Sequence, residues 1–157
     1  MAAIMGDHVY IPDKKLGVVV LNLSNGARNE VMEQLVPQIE DGIGIVFASE
    51  TEMILSRSGS LELWTRPSYD ISEKWSLQVK REAAKERGYL FLFNMAYERS
   101  SELLYVLDCD IMRVSVIGKN TLDIIKTFGE DLNLTSICID EEKGHLYCCY
   151  NNIVIYN

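Results

Sequence analysis

Short runs in which apolar and polar residues alternate recur along this chain, and they recur in pairs. Leu104-Tyr-Val106 is followed by Asp108-Cys-Asp110 and then Val114-Ser-Val-Ile117. Leu146-Tyr-Cys148 is followed by Tyr150-Asn-Asn152 and then Ile153-Val-Ile-Tyr156. Two alternating runs across a polar connection are the pattern of a β-hairpin. The same phrase occurs twice upstream. Val9-Tyr-Ile11 meets Val18-Val-Val-Leu21 across Asp13-Lys-Lys15, and Met53-Ile-Leu55 meets Leu61-Glu-Leu-Trp64 across Arg57-Ser-Gly59. Three of the four leading strands carry a tyrosine at the matching position (Tyr10, Tyr105, Tyr147), and the fourth carries Ile54. Gly59 and the asparagines can take the positive φ that tight hairpin turns demand.

The second strands begin at residues 18, 61, 114 and 153, at intervals of 43, 53 and 39 residues. These bracket the period of repeated β-blades. A further apolar run precedes three of the hairpins and reads as the inner strand of each blade: Ile43 to Phe47, Tyr89 to Phe93, and Ser136 to Ile139. The glycine pair in Asp41-Gly-Ile-Gly44 reads as a turn entering the first of these. For the first hairpin only Ala2 to Met5 can serve. Outer strands are expected at Trp75 to Val79 and at Ile124 to Thr127. Val31 to Val36 fits strand or helix, since Val31 and Leu35 share a helical face and Pro37 ends the segment. After the fourth hairpin the residues stop at Asn157, so no outer strand is expected there.

Two segments depart from the repeat. Lys80-Arg-Glu-Ala-Ala-Lys-Glu-Arg87 consists of strong helix formers before Gly88, and it predicts one or two helical turns linking the second and third blades. Residues 96 to 102 read as a lengthened loop inside the third blade. The expected organisation is one all-β domain over residues 1–157. Its blades fall near 1–36, 37–79, 88–128 and 132–157, with the helical linker at 80–87.

Leu104-Tyr-Val-Leu-Asp108 with Val114-Ser-Val-Ile117 and Thr121 to Thr127, continued by Thr135 to Asp140 and His145-Leu-Tyr147, resembles β-propeller repeats. The likeness is to the YVTN/NHL group and its WD-repeat relatives. A Gly-His opening and a Trp-Asp dipeptide are absent, and Leu63-Trp64-Thr65 is the nearest approach to the latter. The resemblance implies blades that cannot fold alone and must stack on neighbours, usually in a closed ring. Four blades leave three assemblies open: a small self-closed ring, half of a larger ring completed by another chain, or a fragment of a longer propeller. An open sandwich or meander is the other all-β solution. An unclosed end leaves an apolar blade face bare, which favours association.

Composition narrows the partners. The 157 residues carry a formal net charge of −8, and such a surface repels phosphate backbones, so nucleic acid is not an expected partner. No apolar run is long enough to span a membrane, and the N-terminus lacks the basic and apolar regions of a signal peptide. Cys109, Cys138, Cys148 and Cys149 form no CxxC pair, and only His145 lies near them. They read as reduced, packed thiols of a cytoplasmic protein rather than a zinc site.

Catalytic signals are weak. His8 and His145 have no Ser or Asp constellation beside them, and no phosphate-cradling loop or GxSxG motif is present. Asp108 and Asp110, and the turn Asp140-Glu-Glu142, have the ligand type for Ca²⁺ but lack an EF-hand spacing, and short acidic residues are common in turns. No catalytic, metal or cofactor-binding residue is therefore assigned. Trp64 and Trp75 suit packing between blades, whereas Arg66, Pro67 and Tyr69 lie in a loop. Arg66, Tyr69 and Trp75 are the candidate partner-binding residues, because Trp, Tyr and Arg dominate interface hot spots. The expected function is a non-catalytic interaction module or scaffold subunit with protein partners, as a homo-oligomer or within a larger complex. The alternative is a small-molecule sensor or enzyme using the central channel of a closed ring.

Overall fold

The alternation of apolar positions resolves into four antiparallel sheets in a computed structural model. It describes residues 1–13, 15–36, 42–57, 59–68, 70, 72–82, 92–108, 112–129, 134–149 and 153–156. The first sheet holds β1 (Ala3–Met5), β2 (His8–Asp13) and β3 (Gly17–Asn22), followed by helix α1 (Glu30–Leu35). The second is β4 (Gly42–Ser49), β5 (Glu52–Arg57), β6 (Ser60–Thr65) and β7 (Ser76–Glu82). The third is β8 (Leu92–Glu98), β9 (Leu103–Asp108), β10 (Arg113–Gly118) and β11 (Ile124–Phe128). The fourth is β12 (Ser136–Asp140), β13 (His145–Cys149) and β14 (Ile153–Tyr156). In every sheet, strands adjacent in sequence are neighbours in space, the meander of a propeller blade.

The sheets stack in a row through their inner strands, with β8 packed between β4 and β12, and β4 also against β1 and β2. The period of two along each strand divides its side chains between two cores. On β5, Met53 and Leu55 enter the core shared with the first sheet, beside Tyr10, Val18, Val20 and Ile45. Ile54, between them, enters the core shared with the third sheet, beside Leu61, Leu63, Leu104, Val106 and Ile117. A third core, with Leu107, Val114, Ile137, Leu146 and Cys148, joins the third and fourth sheets. Each fully buried aliphatic side chain contributes about 1.5–3 kcal/mol, so stacking is what makes each blade stable. Among the described residues the row does not close into a ring.

Close approach fixes one backbone position. A Cβ on Gly44 would meet Ser56 Oγ at 2.8 Å and Met95 Cε at 3.2 Å, so β4, β5 and β8 can come together only with glycine there. Gly42 joins Gly44 inside β4, so the strand begins within what the glycine pair suggests is a turn. The β5–β6 turn uses Gly59 at φ 77°, as its sequence implies.

Two further expectations change, and one open alternative is decided. Lys80, Arg81 and Glu82 belong to β7, paired with Glu62, Leu61 and Ser60, rather than to a helical linker. Residues 83–87 of that linker lie outside the described residues. Pairing along the edge of β6 overrides helix propensity, and the exposed outer strand leaves the charged side chains in water. The third inner strand runs from Leu92 to Glu98, while Tyr89 to Phe91 lie outside the described residues. Ala96, Tyr97 and Glu98 are therefore strand rather than loop: Met95 and Tyr97 fill one core and Ala96 the other. Asn94 finds a partner in Ser136 Oγ, to which its Nδ2 donates at 3.0 Å. Of the two alternatives for the segment after the first hairpin, strand or helix, the structure forms the helix, α1. Its N-cap is Asn29, whose side chain accepts from Met32 N at 3.0 Å, and a single Leu21–Arg28 bridge remains beside β3.

Candidate interaction surfaces

Two of the three residues first expected at a partner surface, Arg66 and Trp75, are buried between the first two sheets. Arg66 is 6% exposed. Its backbone N–H donates to Thr51 O at 3.0 Å and its Nε donates to Glu50 O at 2.9 Å. Its guanidinium lies 5.0 Å from the ring centre of Trp75, within cation–π range. Trp75 is 7% exposed, and its backbone N–H donates to Leu35 O at 3.2 Å. Its ring lies 6.1 Å from that of Phe47, which meets Tyr10 edge-on at 4.8 Å. Arg66 and Trp75 therefore tie the loop after β6 to α1 and the first sheet, and little of either side chain is open to solvent. Tyr69 lies outside the described residues. Residue type pointed to a hot spot, but it could not reveal that three elements close over the pair.

Burial also selects charged groups that sequence patterns did not single out. Glu62, in the run Leu-Glu-Leu-Trp, is 1% exposed. It accepts from Trp64 Nε1 at 3.1 Å and pairs with Arg57 at 3.3 Å. Lys119 bridges the second and third sheets: its Nζ lies 3.0 Å from Glu52 and 3.1 Å from Glu102. Burial by itself lowers the Lys119 pKa, but the hydrogen bonds to Glu52 and Glu102 outweigh it and leave the pKa raised. Both sites are structural clamps with their charges met.

His8 and His145 lie in the first and fourth sheets, and His145 stands opposite Asp140 in the β12–β13 register. His8, at the start of β2, contacts Asn29 Nδ2 through Nε2 at 3.1 Å. His145, at the start of β13, lies 3.4 Å from Tyr147 Oη through Nδ1. Asp108 is fully buried in β9, and Cys109 and Asp110 lie outside the described residues. In the other acidic turn, Asp140 accepts from Lys143 N at 3.2 Å and pairs with Lys143 Nζ at 3.1 Å. Glu141 accepts from Arg99 N at 3.3 Å. Among the described residues no group of three His, Cys, Asp or Glu side chains is placed to hold a metal ion. Burial, reinforced by Cys149 and Cys138, pushes the Cys148 thiol up to about 11, so it stays protonated.

Two features are open instead. The first is the pair of outer blade faces. Register places Ile4, Val9 and Leu21 side by side on the outward face of the first sheet, with Ile11 beside Val19. Ile4 is 65% exposed and the others are partly exposed. On the outward face of the fourth sheet, Cys138, Tyr147 and Ile155 align across the strands, and Ile155 is 51% exposed.

The second is a cavity of about 280 Å³ between the third and fourth sheets, walled by Tyr105, Phe128 and Tyr156 with Glu98, Lys126 and Ile139. The Phe128 and Tyr156 rings are 4.8 Å apart, tilted by 51°. Tyr105 Oη donates to Glu98 Oε2 at 3.1 Å, and the Ser101 hydroxyl donates to the same oxygen. Burial, then the Glu98 charge and its hydrogen bond, pushes the Tyr105 phenol up to about 12. No sequence motif marks this place, because its walls come from six strands.

Neither a protein-family model nor a curated protein matches the sequence. Solved structures do. The β-propeller domain of Cps50 (Swd1) from Myceliophteria thermophila matches with a TM-score of 0.69 at 12% identity, over 99% of this chain and 52% of that one. The WD40 β-propeller domain of Doa1 matches at 0.51 and 19% identity, over 69% of this chain and 34% of that one. Glutaminyl cyclase from Myxococcus xanthus matches at 0.65 and 12% identity, over 94% of this chain and 65% of that one. The chain thus spans between about a third and two thirds of these structures. At such identities the likeness is one of fold: a WD-repeat-like row of β-propeller blades.

Proposed function

We propose that this chain is a non-catalytic, cytoplasmic protein-interaction module whose row of blades is completed by another polypeptide. The carrying observation is the outward face of the first sheet, where Ile4, Val9, Ile11, Val19 and Leu21 stand together with no sheet over them among the described residues. Inside the row, equivalent faces are each covered by a neighbouring blade. The occupant that suits such a face is a blade, and the matched propellers are longer than this chain over the same fold. A second copy is the simplest supplier, since its fourth sheet offers Cys138, Tyr147 and Ile155 to the partner's first sheet. Two rows of four joined head to tail by a two-fold axis would form a closed ring.

The three described cysteines are unpaired thiols, which supports a reducing compartment. The rival reading, an enzyme or sensor, draws support from the structural match to glutaminyl cyclase. It is weakened here because the two histidines lie in the first and fourth sheets and the described inner strands carry mainly apolar core residues.

Size-exclusion chromatography with light scattering on the full chain tests the proposal, with Ile4→Asp and Val19→Asp as variants. The expected result is a dimer that dissociates in both variants while their circular dichroism stays that of folded β-sheet. A well-dispersed monomer, unchanged by either substitution, would refute completion by a second copy.

A further inference from the structure

We infer that the cavity between the third and fourth sheets is a receptor for one cationic side chain, lysine or arginine, on a partner polypeptide. This rests on the protein-interaction reading but uses a different part of the molecule from the blade faces. Three aromatic side chains wall the cavity: Tyr105 from β9, Phe128 from β11 and Tyr156 from β14. The negative faces of aromatic rings attract cations, most strongly where water is excluded. Phe128 and Tyr156, tilted by 51°, make a corner rather than a flat stack, and a corner presents two ring faces to one guest. About 280 Å³ lies just below the usual range for small-molecule pockets and suits a single side chain.

The carboxylate of Glu98 sets the sign of the guest. It is half-buried and held in place by the hydroxyls of Tyr105 and Ser101, both bound to Oε2. Those donors are neutral. Among the described residues no lysine, arginine or histidine pairs with Glu98, although seven other carboxylates have such partners. A partly buried carboxylate without a counter-charge gains most from an incoming cation.

Lys126 also lines the cavity and offers the opposite choice. Its side chain is exposed, so its charge stays hydrated and screened. No ring face helps an anion bind beside it. The net charge of −8 favours basic partners at longer range.

The test is an NMR titration of the full chain, following the ring signals of Tyr105, Phe128 and Tyr156. The probes are N-acetyl-arginine amide and N-acetyl-lysine amide, with the glutamine and glutamate analogues as neutral and anionic controls. Each basic probe carries its charge only on the side chain. Saturable shifts of those rings are expected with the basic probes alone. Glu98→Gln should weaken them at least fivefold, while Lys126→Gln leaves them as strong or stronger. Tyr105→Phe keeps the ring and removes its hydroxyl, and it should weaken binding less than Glu98→Gln. Absence of saturable shifts with both basic probes overturns the inference. So does equal binding of the glutamine analogue, or binding of the glutamate analogue that Lys126→Gln abolishes. Because the readout is local to these rings, its failure leaves the association measurement untouched, and the two proposals fail separately.

Discussion

Lys119→Met removes the charge that fastens the second sheet to the third, and its cost can be worked out in advance. The lysine side chain is 8% exposed, Glu52 28% and Glu102 56%. A charge-assisted hydrogen bond contributes about 1.5–3 kcal/mol when well shielded, and an exposed ion pair about 0.2–1 kcal/mol. Taking the shielded range for Glu52 at its lower end and the exposed range for Glu102 gives a loss of about 2 kcal/mol. Methionine retains most of the packing of the aliphatic stem, and the backbone N–H of residue 119 still reaches Glu102 O. For a domain of this size about 2 kcal/mol lowers Tm by about 4–8 °C.

Urea unfolding followed by the fluorescence of Trp64 and Trp75 measures it, with Glu52→Gln and the double variant closing a cycle. Coupling of about 1 kcal/mol is expected between positions 52 and 119. The pH dependence supplies a second reading. The pKa of Lys119 is raised in the fold, so its contribution is complete below the ordinary lysine value. It is lost as pH rises through the folded one. Above about pH 10.5 the native chain should therefore lose stability faster than Lys119→Met. Strict additivity in the cycle, or identical alkaline profiles, would refute the clamp.

Two further substitutions probe the first and third blades. Glu33 accepts from Val20 N at 3.2 Å and from Arg28 Nε, and the Arg28 hydrogen bond leads in holding its carboxyl below the usual range. Its contribution is therefore present above the ordinary glutamate value and lost as pH falls through the folded one. Glu33→Gln should cost about 0.5–1 kcal/mol at neutral pH, discounted for the exposed arginine, and flatten the acid limb of the stability profile. Met112 precedes β10 at φ 51°, as Gly59 precedes β6 at φ 77°. The left-handed region disfavours methionine by about 1 kcal/mol, part of which the extra freedom of unfolded glycine offsets. Met112→Gly should raise the urea midpoint slightly, and a fall of more than about 1 kcal/mol would count against the assigned turn.

The hairpins were legible because their signal is local. Met53-Ile-Leu55 and Leu104-Tyr-Val106 alternate, and alternation is a property of the strand itself. Lys80 to Glu82 were misread for the complementary reason: an outer strand exposed along its length needs no apolar alternation. Only its pairing with β6 identifies it. Ala96 to Glu98 failed in the same way, since only their pairing with β9 identifies them as strand.

The candidate site was less legible than the fold. Arg66 and Trp75 have the residue types of an interface, and the structure folds them against Glu50 O, Leu35 O and Phe47. Glu98, Tyr105, Phe128 and Tyr156 lie in four different strands, and no spacing links them.

Sequence alone determined the strands, their pairing as hairpins and the blade-like repeat, because side-chain alternation and turn chemistry act over a few residues. Tertiary structure decided which charges are buried, which aromatic residues close a core and which line a cavity. Those outcomes depend on sheets stacking face to face, and groups that meet across them, such as Glu52 and Lys119, are separated by tens of residues of chain.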